Sequence, residues 1–377
     1  MTAARIAVVG AGFAGLTALR NLRREAPDAE LTLVAPRAEL HYLPSAIWLP
    51  SGQRRRDQLV IPLDAFLHRT RVKFHAGSAT GLSADARTLH TDAGDVANDG
   101  IVIASGARFM RKLPGLEHAI IPCDGIAAGE AIRGRLAALQ EGTICCGFSS
   151  NPAEPNAMRG GPIFEFVFGL DTLLRRQRRR NRFRLVFFSP SQKPGLRLGE
   201  RAVAMILAEM AKRGIETVLG EKPQRIEADG VQLEHTRIAS DLTLFMPGLT
   251  GPQWLDQTSL PRSPGGLVAG DAQCRVAGHA CTYVAGDGAS LPGPDWMPKQ
   301  AHQADLQAAV AARNLLRELR GEVPTETFAA ELVCIIDSLD RGMLVTRREQ
   351  GMRALRPLRL MHWAKAAFEW NYLRRYR

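Results

Sequence analysis

Long apolar runs are missing from this chain. No stretch of its 377 residues reaches the roughly 18 consecutive apolar side chains that would span a bilayer. The opening Met1-Thr2-Ala3-Ala4-Arg5 runs straight into Ile6-Ala7-Val8-Val9 with no apolar region ahead of a cleavage site, so no cleavable leader is expected. The six cysteines are too few for a disulfide-stapled scaffold of this length, and no Cys-x-x-Cys or Cys/His spacing exists to hold a structural metal. Acidic side chains are in deficit, 38 against 49 Lys and Arg, giving a formal net charge of +11. That surplus suits an acidic partner, yet no DNA- or RNA-binding module is present, so nucleic acid is not expected. Solenoid repeats are absent too. An ordinary 45% apolar and 23% charged composition excludes long disorder, and the length implies two or more cores.

What is present is an alternation of strands and helices. Ile6–Val9 reads as a buried strand ending in Gly10-Ala11-Gly12-Phe13-Ala14-Gly15, followed by a helix from Leu16 to about Arg24 and a second strand at Leu31–Val34. A Gly-x-Gly-x-x-Gly turn is weak evidence alone, but strand before, helix after and second strand at about thirty residues supply its context. Gly10 serves the tight turn, Gly12 the approach of backbone N–H groups to a diphosphate, and Gly15 close helix–strand packing, with the helix N-terminus facing the phosphates. The acidic residue that would bind ribose hydroxyls is replaced by Ala35-Pro36-Arg37, where backbone or Arg37 contacts substitute. A second such unit begins near Thr143–Gly147, with a helix over Ile163–Leu174, a basic run Arg175–Arg184 that reads as a solvated helix end or a headgroup contact, a strand at Leu185–Phe188 and a helix near Ala202–Lys212. The fold class is therefore α/β with two Rossmann-like dinucleotide-binding domains.

Two further segments point to FAD. Ile103-Ala104-Ser105-Gly106 resembles the turn with which two-domain flavoproteins cross back beside the adenine and diphosphate. Cys281-Thr282-Tyr283-Val284-Ala285-Gly286-Asp287 resembles their final motif, whose Asp accepts hydrogen bonds from the ribitol. A second glycine fingerprint, as a reductase fed by NAD(P)H requires, is missing after Ile144–Gly147. Phe148-Ser149-Ser150-Asn151-Pro152-Ala153-Glu154-Pro155-Asn156 stands there instead, with glycines only at Gly160-Gly161.

The chain resembles the sulfide:quinone oxidoreductase and flavocytochrome c sulfide dehydrogenase branch of the FAD-dependent pyridine nucleotide-disulfide oxidoreductases. The resemblance runs over essentially the whole length and is most specific at Tyr42-Leu43-Pro44, Gly161-Pro162-Ile163-Phe164-Glu165, Pro298-Lys299, Val333–Asp337 with Asp340-Arg341-Gly342, and His362–Glu369. It implies a discontinuous FAD domain (residues 1–112 and 241–319), an inserted second domain (113–240), and a quinone- and membrane-interacting region (320–377). It assigns Gly10, Gly12, Phe13, Ala14, Gly15, Ala35, Pro36, Arg37, Pro44, Ala79, Ala104, Ser105, Gly106, Gly286, Asp287 and Lys299 to the cofactor. Cys334 matches a flavin-side redox cysteine, Cys123 the third cysteine nearer the surface, and Glu165 the active-site carboxylate, whose apolar neighbours favour a raised pKa. The partner cysteine before Gly-Pro-x-x-Glu is absent: Met158-Arg159-Gly160 occupies that place, and Cys145 or Cys146 is an alternative. Phe368 matches the aromatic that stacks on a quinone, with Pro44 near its other face.

The bland readings are a small core residue for each cysteine, an exposed helix acid for Glu165 and a solvated lysine at 299. Trp363, Trp370, Tyr372 and Tyr376, interleaved with Arg359, Lys365, Arg374, Arg375 and Arg377, read as an interfacial anchor on the membrane surface, or else as a helix docked on the chain's own core. Removing Leu358–Arg377 is expected to leave FAD bound, since the flavin motifs lie upstream. The implied activity is electron transfer from sulfide, or a related reduced sulfur donor, through FAD to a membrane quinone, at the cytoplasmic membrane of a bacterium. A type 2 NADH:quinone oxidoreductase and a flavoprotein without sulfide turnover are the alternatives, and a homo-oligomer is compatible with all three.

Overall fold

The computed structural model describes residues 3–377. The chain opens with β1 (Arg5–Val9), α1 (Phe13–Glu25) and β2 (Glu30–Ala35), then β3 (Val72–Ala76), β4 (Ala79–Leu82) and β5 (Gly100–Ile103). The middle of the chain forms β6 (Gly142–Phe148), α2 (Gly161–Arg176), β7 (Phe183–Ser189), α3 (Glu200–Lys212), β8 (Glu216–Leu219) and β9 (Leu242–Met246). It then returns through β10 (Thr282–Val284) and α4 (Ala301–Leu319), and ends in β11 (Leu332–Asp337), β12 (Gly342–Arg348), β13 (Gly351–Ala354) and α5 (Arg359–Leu373).

Two parallel sheets result. The first has the order β10-β5-β1-β2-β3, and so unites both ends of the flavin-type sequence around β1. Its strands bury both faces, as a parallel sheet covered on both sides must. Alternate residues divide between two clusters: Ile6, Val8, Leu31 and Val102 pack under α1 and α4, while Ala7, Val9, Val34 and Ile103 face Leu89, Leu255 and Val268. The second sheet, β8-β7-β6-β9, is parallel as well. It is closed by α2, which buries Ile163, Phe164, Phe166, Val167 and Leu170. The antiparallel sheet β11-β12-β13 carries α5 against it. Among the described residues no helix is long and apolar enough to cross a membrane.

The basic run after α2 is more than a solvated helix end. Asp171 is fully buried, and Arg175 Nε (2.9 Å), Arg180 Nε (2.6 Å) and Arg213 Nη1 (3.4 Å) converge on it. A buried carboxylate answered this way is costly to strip of its partners, so part of the positive charge is committed to holding α2 in place.

Candidate functional site

The cofactor motifs, far apart in sequence, meet at the carboxyl ends of the first sheet. Gly10 has φ +109° and donates its N–H to Val34 O at 2.8 Å; a Cβ there would stand 2.4 Å from Ala104 O. A Cβ on Gly15 would fall 1.9 Å from Gly10 O, so helix and turn touch backbone to backbone. At Gly12, by contrast, nothing lies within 4 Å of where a Cβ would be. No side chain caps α1 and its first turn carries no acid, which leaves its leading N–H groups free for an anionic ligand. Gly106 (φ +72°) and Gly286 (φ +83°) bring the other two motifs alongside, and Gly286 N–H donates to Gln307 Oε1 at 2.9 Å. Ala35 is buried at the end of β2, Pro36 and Arg37 are exposed, and Ala79 is half-buried on β4. Lys299 is half-buried and donates to Ala289 O rather than standing in solvent. Asp287 is ion-paired with Arg159.

The corresponding turn of the second unit has another character. Residues 149–160 separate β6 from α2, and several of their donors are spent within the protein. Ser149 N–H donates to Met246 O, Glu154 N–H to Asn151 O, Ala157 N–H to Glu154 O and Ala153 N–H to the Asn151 side chain. The Asn151 amide donates in turn to Leu249 O and Gly265 O, and Glu154 accepts from Ser263 and Ser290. Phe148 fills the space beside Gly160.

A polar cluster lies beneath the start of α2. Glu165 is buried, accepts the Asp337 N–H at 2.9 Å, and is paired with Lys365, whose ammonium also reaches Ile335 O at 3.2 Å. Burial pushes the Glu165 carboxyl up to about 7 against the pull of Lys365. Burial opposes the charge on Lys365, but Glu165 and Asp337 outweigh it and keep the ammonium protonated. The same pair acts on two thiols. Burial pushes Cys334 up to about 12, with Glu165 adding to the rise and Lys365 opposing it. Burial likewise lifts Cys123 to about 11, opposed by Arg159. Cys145 and Cys146 do not join them. They are fully buried in the middle of β6, and Cys145 Sγ faces Ala239 O at 3.9 Å. This placement lends no support to the alternative that either approaches the flavin from the strand end.

Asp337 extends the cluster. It accepts from Trp48 Nε1 (3.0 Å) and Leu339 N–H (2.8 Å), and lies 2.7 Å from His362 Nδ1. Burial works against its charge, but His362, Lys365 and Trp48 hold the carboxyl below its usual range. Trp48, Asp337, His362 and Lys365 were not singled out as site residues from sequence. His362, Lys365, Glu369, Tyr372 and Tyr376 recur every three or four residues, and that stripe was the available signal for a buried helix face.

The C-terminal helix α5 is two-sided, which corrects the reading of its whole aromatic and basic content as an anchor. Tyr372, Leu373 and Tyr376 are buried in the core of the first sheet, with Tyr372 centred 5.2 Å from Phe13 and 5.7 Å from Tyr42. Lys365 is inside with Glu165. On the opposite side Trp363 (69%), Trp370 (61%) and Phe368 (57%) are exposed, beside Leu360. Phe368 stacks on Tyr372 at 6.4 Å, and Tyr372 in turn meets Tyr42, two residues before the half-buried Pro44.

Residues 4–139 match the family model of pyridine nucleotide-disulphide oxidoreductases. A sulfide-quinone reductase of Aquifex aeolicus is 25% identical over 405 aligned positions, covering 98% of this chain and 90% of the relative. The crystal structure of the sulfide:quinone oxidoreductase from that bacterium superposes with a TM-score of 0.91 at 21% identity, over 100% of this chain and 92% of the other. A type II NADH:quinone oxidoreductase of Staphylococcus aureus is 24% identical over 93% of this chain and 92% of its own length. The chain is an FAD-dependent oxidoreductase.

The residues present fit that cofactor. The open side of Gly12 and the uncapped start of α1 suit the diphosphate, and Asp287 lies where the third motif meets the first. The aromatic contacts of Phe13 tie this oxidoreductase's phosphate turn directly to α5. Tail and cofactor cradle therefore form one body, and the expectation that the tail can be removed with FAD left in place is not supported by this packing.

Proposed function

We propose that this oxidoreductase passes electrons from a small reduced sulfur donor, sulfide above all, through FAD to a membrane quinone. The observation that carries the reading is the buried Glu165–Lys365 pair beside the strand of Cys334, where the Lys365 ammonium reaches the carbonyl of Ile335, the next residue. Loop 149–160 supports it from the other side, because it is long, carries Pro152 and Pro155 and bonds partly to the protein itself, where a nicotinamide dinucleotide would need a short glycine turn. Quinone is the acceptor named for both kinds of curated relative.

In this reading residues 1–112 and 241–319 hold FAD, the 113–240 insertion shapes the sulfur side, and 320–377 serve quinone and membrane. FAD, when bound, supplies a two-electron relay between donor and acceptor. Hydrosulfide gives up two electrons and one proton, while a quinone takes up two electrons and two protons, so one proton must come from solvent. Both thiols are held protonated at neutral pH by burial, and a protonated thiol is a poor nucleophile. Glu165, raised to about 7, is the group suited to take the proton of the Cys334 thiol, leaving a thiolate beside the cofactor that would accept the donor's two electrons. Lys365 positions that carboxylate, and Asp337 with His362 offers a proton route toward the exposed side of α5. Phe368 would stack on the quinone, with Pro44 near the other face. The exposed aromatics beside Arg359, Arg374 and Arg375 would rest on an anionic bilayer surface without spanning it.

The test is sulfide-dependent reduction of a short-chain quinone. Cys334→Ser should lower it at least about a thousandfold with FAD retained, as removal of a covalent nucleophile does. A Cys334→Ser protein that turns over at the parent rate would remove the basis of this reading.

A further inference from the structure

The residues that follow Trp48 pack against a helix that takes no part in the site described above. In this helix, Ile126–Ala138, the side of Ile126, Gly129, Ile132 and Leu136 is buried. Gly129 permits a close approach: a Cβ there would stand 2.6 Å from Leu49 Cδ1 and 3.3 Å from Ala46 O. Glu130 and Arg133, three residues apart on the exposed side, thereby face the segment 54–57 across an open cavity of about 620 Å³. Ligand sites of small molecules enclose about 300–1,000 Å³, so the space is large enough for one.

The cavity is basic at its rim. Arg54, Arg55, Arg56 and Arg133 line it, with Asp57 and Glu130 as the only carboxylates. Arg55 pairs with Asp57 at 2.9 Å and Arg56 reaches Glu130 at 3.5 Å. Both pairs are exposed, so they hold their arginines weakly. Arg54 is fixed more firmly, 2.8 Å from Glu369 of α5 and 4.7 Å over the Trp48 ring. Arg133 is left over. Among the described residues it has neither an ion pair nor a hydrogen bond, and its guanidinium stands 3.7 Å from where a Cβ on Gly52 would be. Four guanidiniums thus face three carboxylates, Glu369 included, and one positive charge is unanswered. The rest of the lining is apolar: Leu49, Val60 and Pro62.

We propose that this cavity binds the phosphate of an anionic phospholipid headgroup, with Arg133 and Arg56 on the phosphate oxygens and the glycerol end against Leu49, Val60 and Pro62. The planar fork of a guanidinium matches phosphate oxygens, and one phosphodiester charge answers the one cation in excess. A free anion would have no use for the apolar lining. Position favours a lipid as well. Arg377 donates to Gln58 O at 3.2 Å, and Glu369, the partner of Arg54, stands between the exposed Phe368 and Trp370. The cavity therefore adjoins the face of α5 that the reading above lays on the bilayer. The site rests on that reading and adds headgroup selectivity to it.

The probe is dihexanoylphosphatidylglycerol below its micelle concentration, titrated calorimetrically into the holoprotein. Dihexanoylphosphatidylcholine and inorganic phosphate are run beside it at the same ionic strength. The parent should bind the anionic lipid saturably, at least about tenfold more tightly than either comparison ligand. Arg133→Gln removes an exposed, unpaired side chain that folding does not need, and should raise the lipid Kd about tenfold. Arg201→Gln takes an exposed charge from α3, outside the cavity, and should change that Kd by less than about twofold. No saturable binding, or an equal loss in both variants, would overturn the site. Inorganic phosphate bound as tightly as the lipid would overturn a lipid as its occupant. Sedimentation with phosphatidylglycerol vesicles separates the site from the reading beneath it. A parent that binds the short-chain lipid but leaves the vesicles unbound keeps the site and loses the membrane reading. Co-sedimentation, with Arg133→Gln altering neither measurement, does the reverse.

Discussion

The two Rossmann-like units follow one strand–turn–helix plan and differ in the turn. In the first, residues 10–12 carry the chain from β1 to α1, the turn is packed backbone to backbone, and its outer side is open at Gly12. In the second, residues 149–160 intervene between β6 and α2, and several of their amides and side chains bond to one another or to neighbouring loops. Backbone N–H groups bind a diphosphate only when nothing inside the protein has taken them. The first unit is an open cradle, and the second is walled by a longer loop that bonds partly to the protein itself. The wall also has work of its own, since Glu154 accepts Ser290 from the flavin side at 2.8 Å and Arg159 leaves the same loop to meet Asp287.

The comparison can be broken most severely at its glycines. Gly15→Ala would drive a Cβ to 1.9 Å from Gly10 O, where only backbone movement gives relief. We expect loss of FAD together with a destabilisation above about 3 kcal/mol, read by flavin absorbance after gel filtration and by denaturant unfolding. Gly160→Ala meets two side chains, the Phe148 ring at 2.8 Å and the Met158 methyl at 3.1 Å, and should cost about 1–2 kcal/mol with FAD retained. If the second substitution releases FAD and the first does not, the contrast between cradle and wall is wrong.

Nearly as large is the effect expected at the tail. Tyr372, Leu373 and Tyr376 each contribute about 1.5–3 kcal/mol of burial, against a total stability of about 5–15 kcal/mol. Deleting 358–377 should therefore yield unfolded or FAD-free protein. Replacing Leu360, Trp363 and Trp370 by Ser should release the protein from anionic liposomes while leaving the flavin spectrum intact. Co-sedimentation of that triple variant at the parent level would remove the exposed face of α5 as the anchor.

A smaller effect separates the polar cluster from both turns. Glu165 has a folded pKa of about 7, above the ordinary carboxylate value of 4.5. Between those two pH values the folded protein keeps a proton that the unfolded chain has lost, so stability falls as pH rises through that window, by at most about 3 kcal/mol. Glu165→Gln should flatten this slope in unfolding experiments between pH 5 and 7. An unchanged slope would show that Glu165 is not the titrating group. Smaller still in stability is Phe368→Ala, because the ring is mostly exposed: a change below about 1 kcal/mol, with the quinone KM raised through lost stacking.

The contrast between the turns was legible in the sequence because glycine turns are local. Gly10, Gly12 and Gly15 sit within one turn of chain, and Pro152 and Pro155 announce the other. The meeting of Gly10 with Ala104 and of Gly286 with Ala14 followed from motif order. Lys365 was misread because its partner Glu165 lies 200 positions away, and nothing near it in sequence distinguishes a buried ammonium from a headgroup contact. The same distance hid Asp337 as the hub joining Trp48 to His362. The Met158-Arg159-Gly160 segment was visible as lacking a cysteine, but the pairing of Arg159 with Asp287 required the fold.

The central claim is that electrons enter from sulfur at the cysteine cluster and not from a nicotinamide at the second unit. Anaerobic titration of the oxidised holoprotein, followed at the flavin absorbance band, tests it directly. Micromolar sulfide should bleach the band within the mixing time while NADH at the same concentration leaves it unchanged. Rapid bleaching by NADH, with no response to sulfide, would contradict the account.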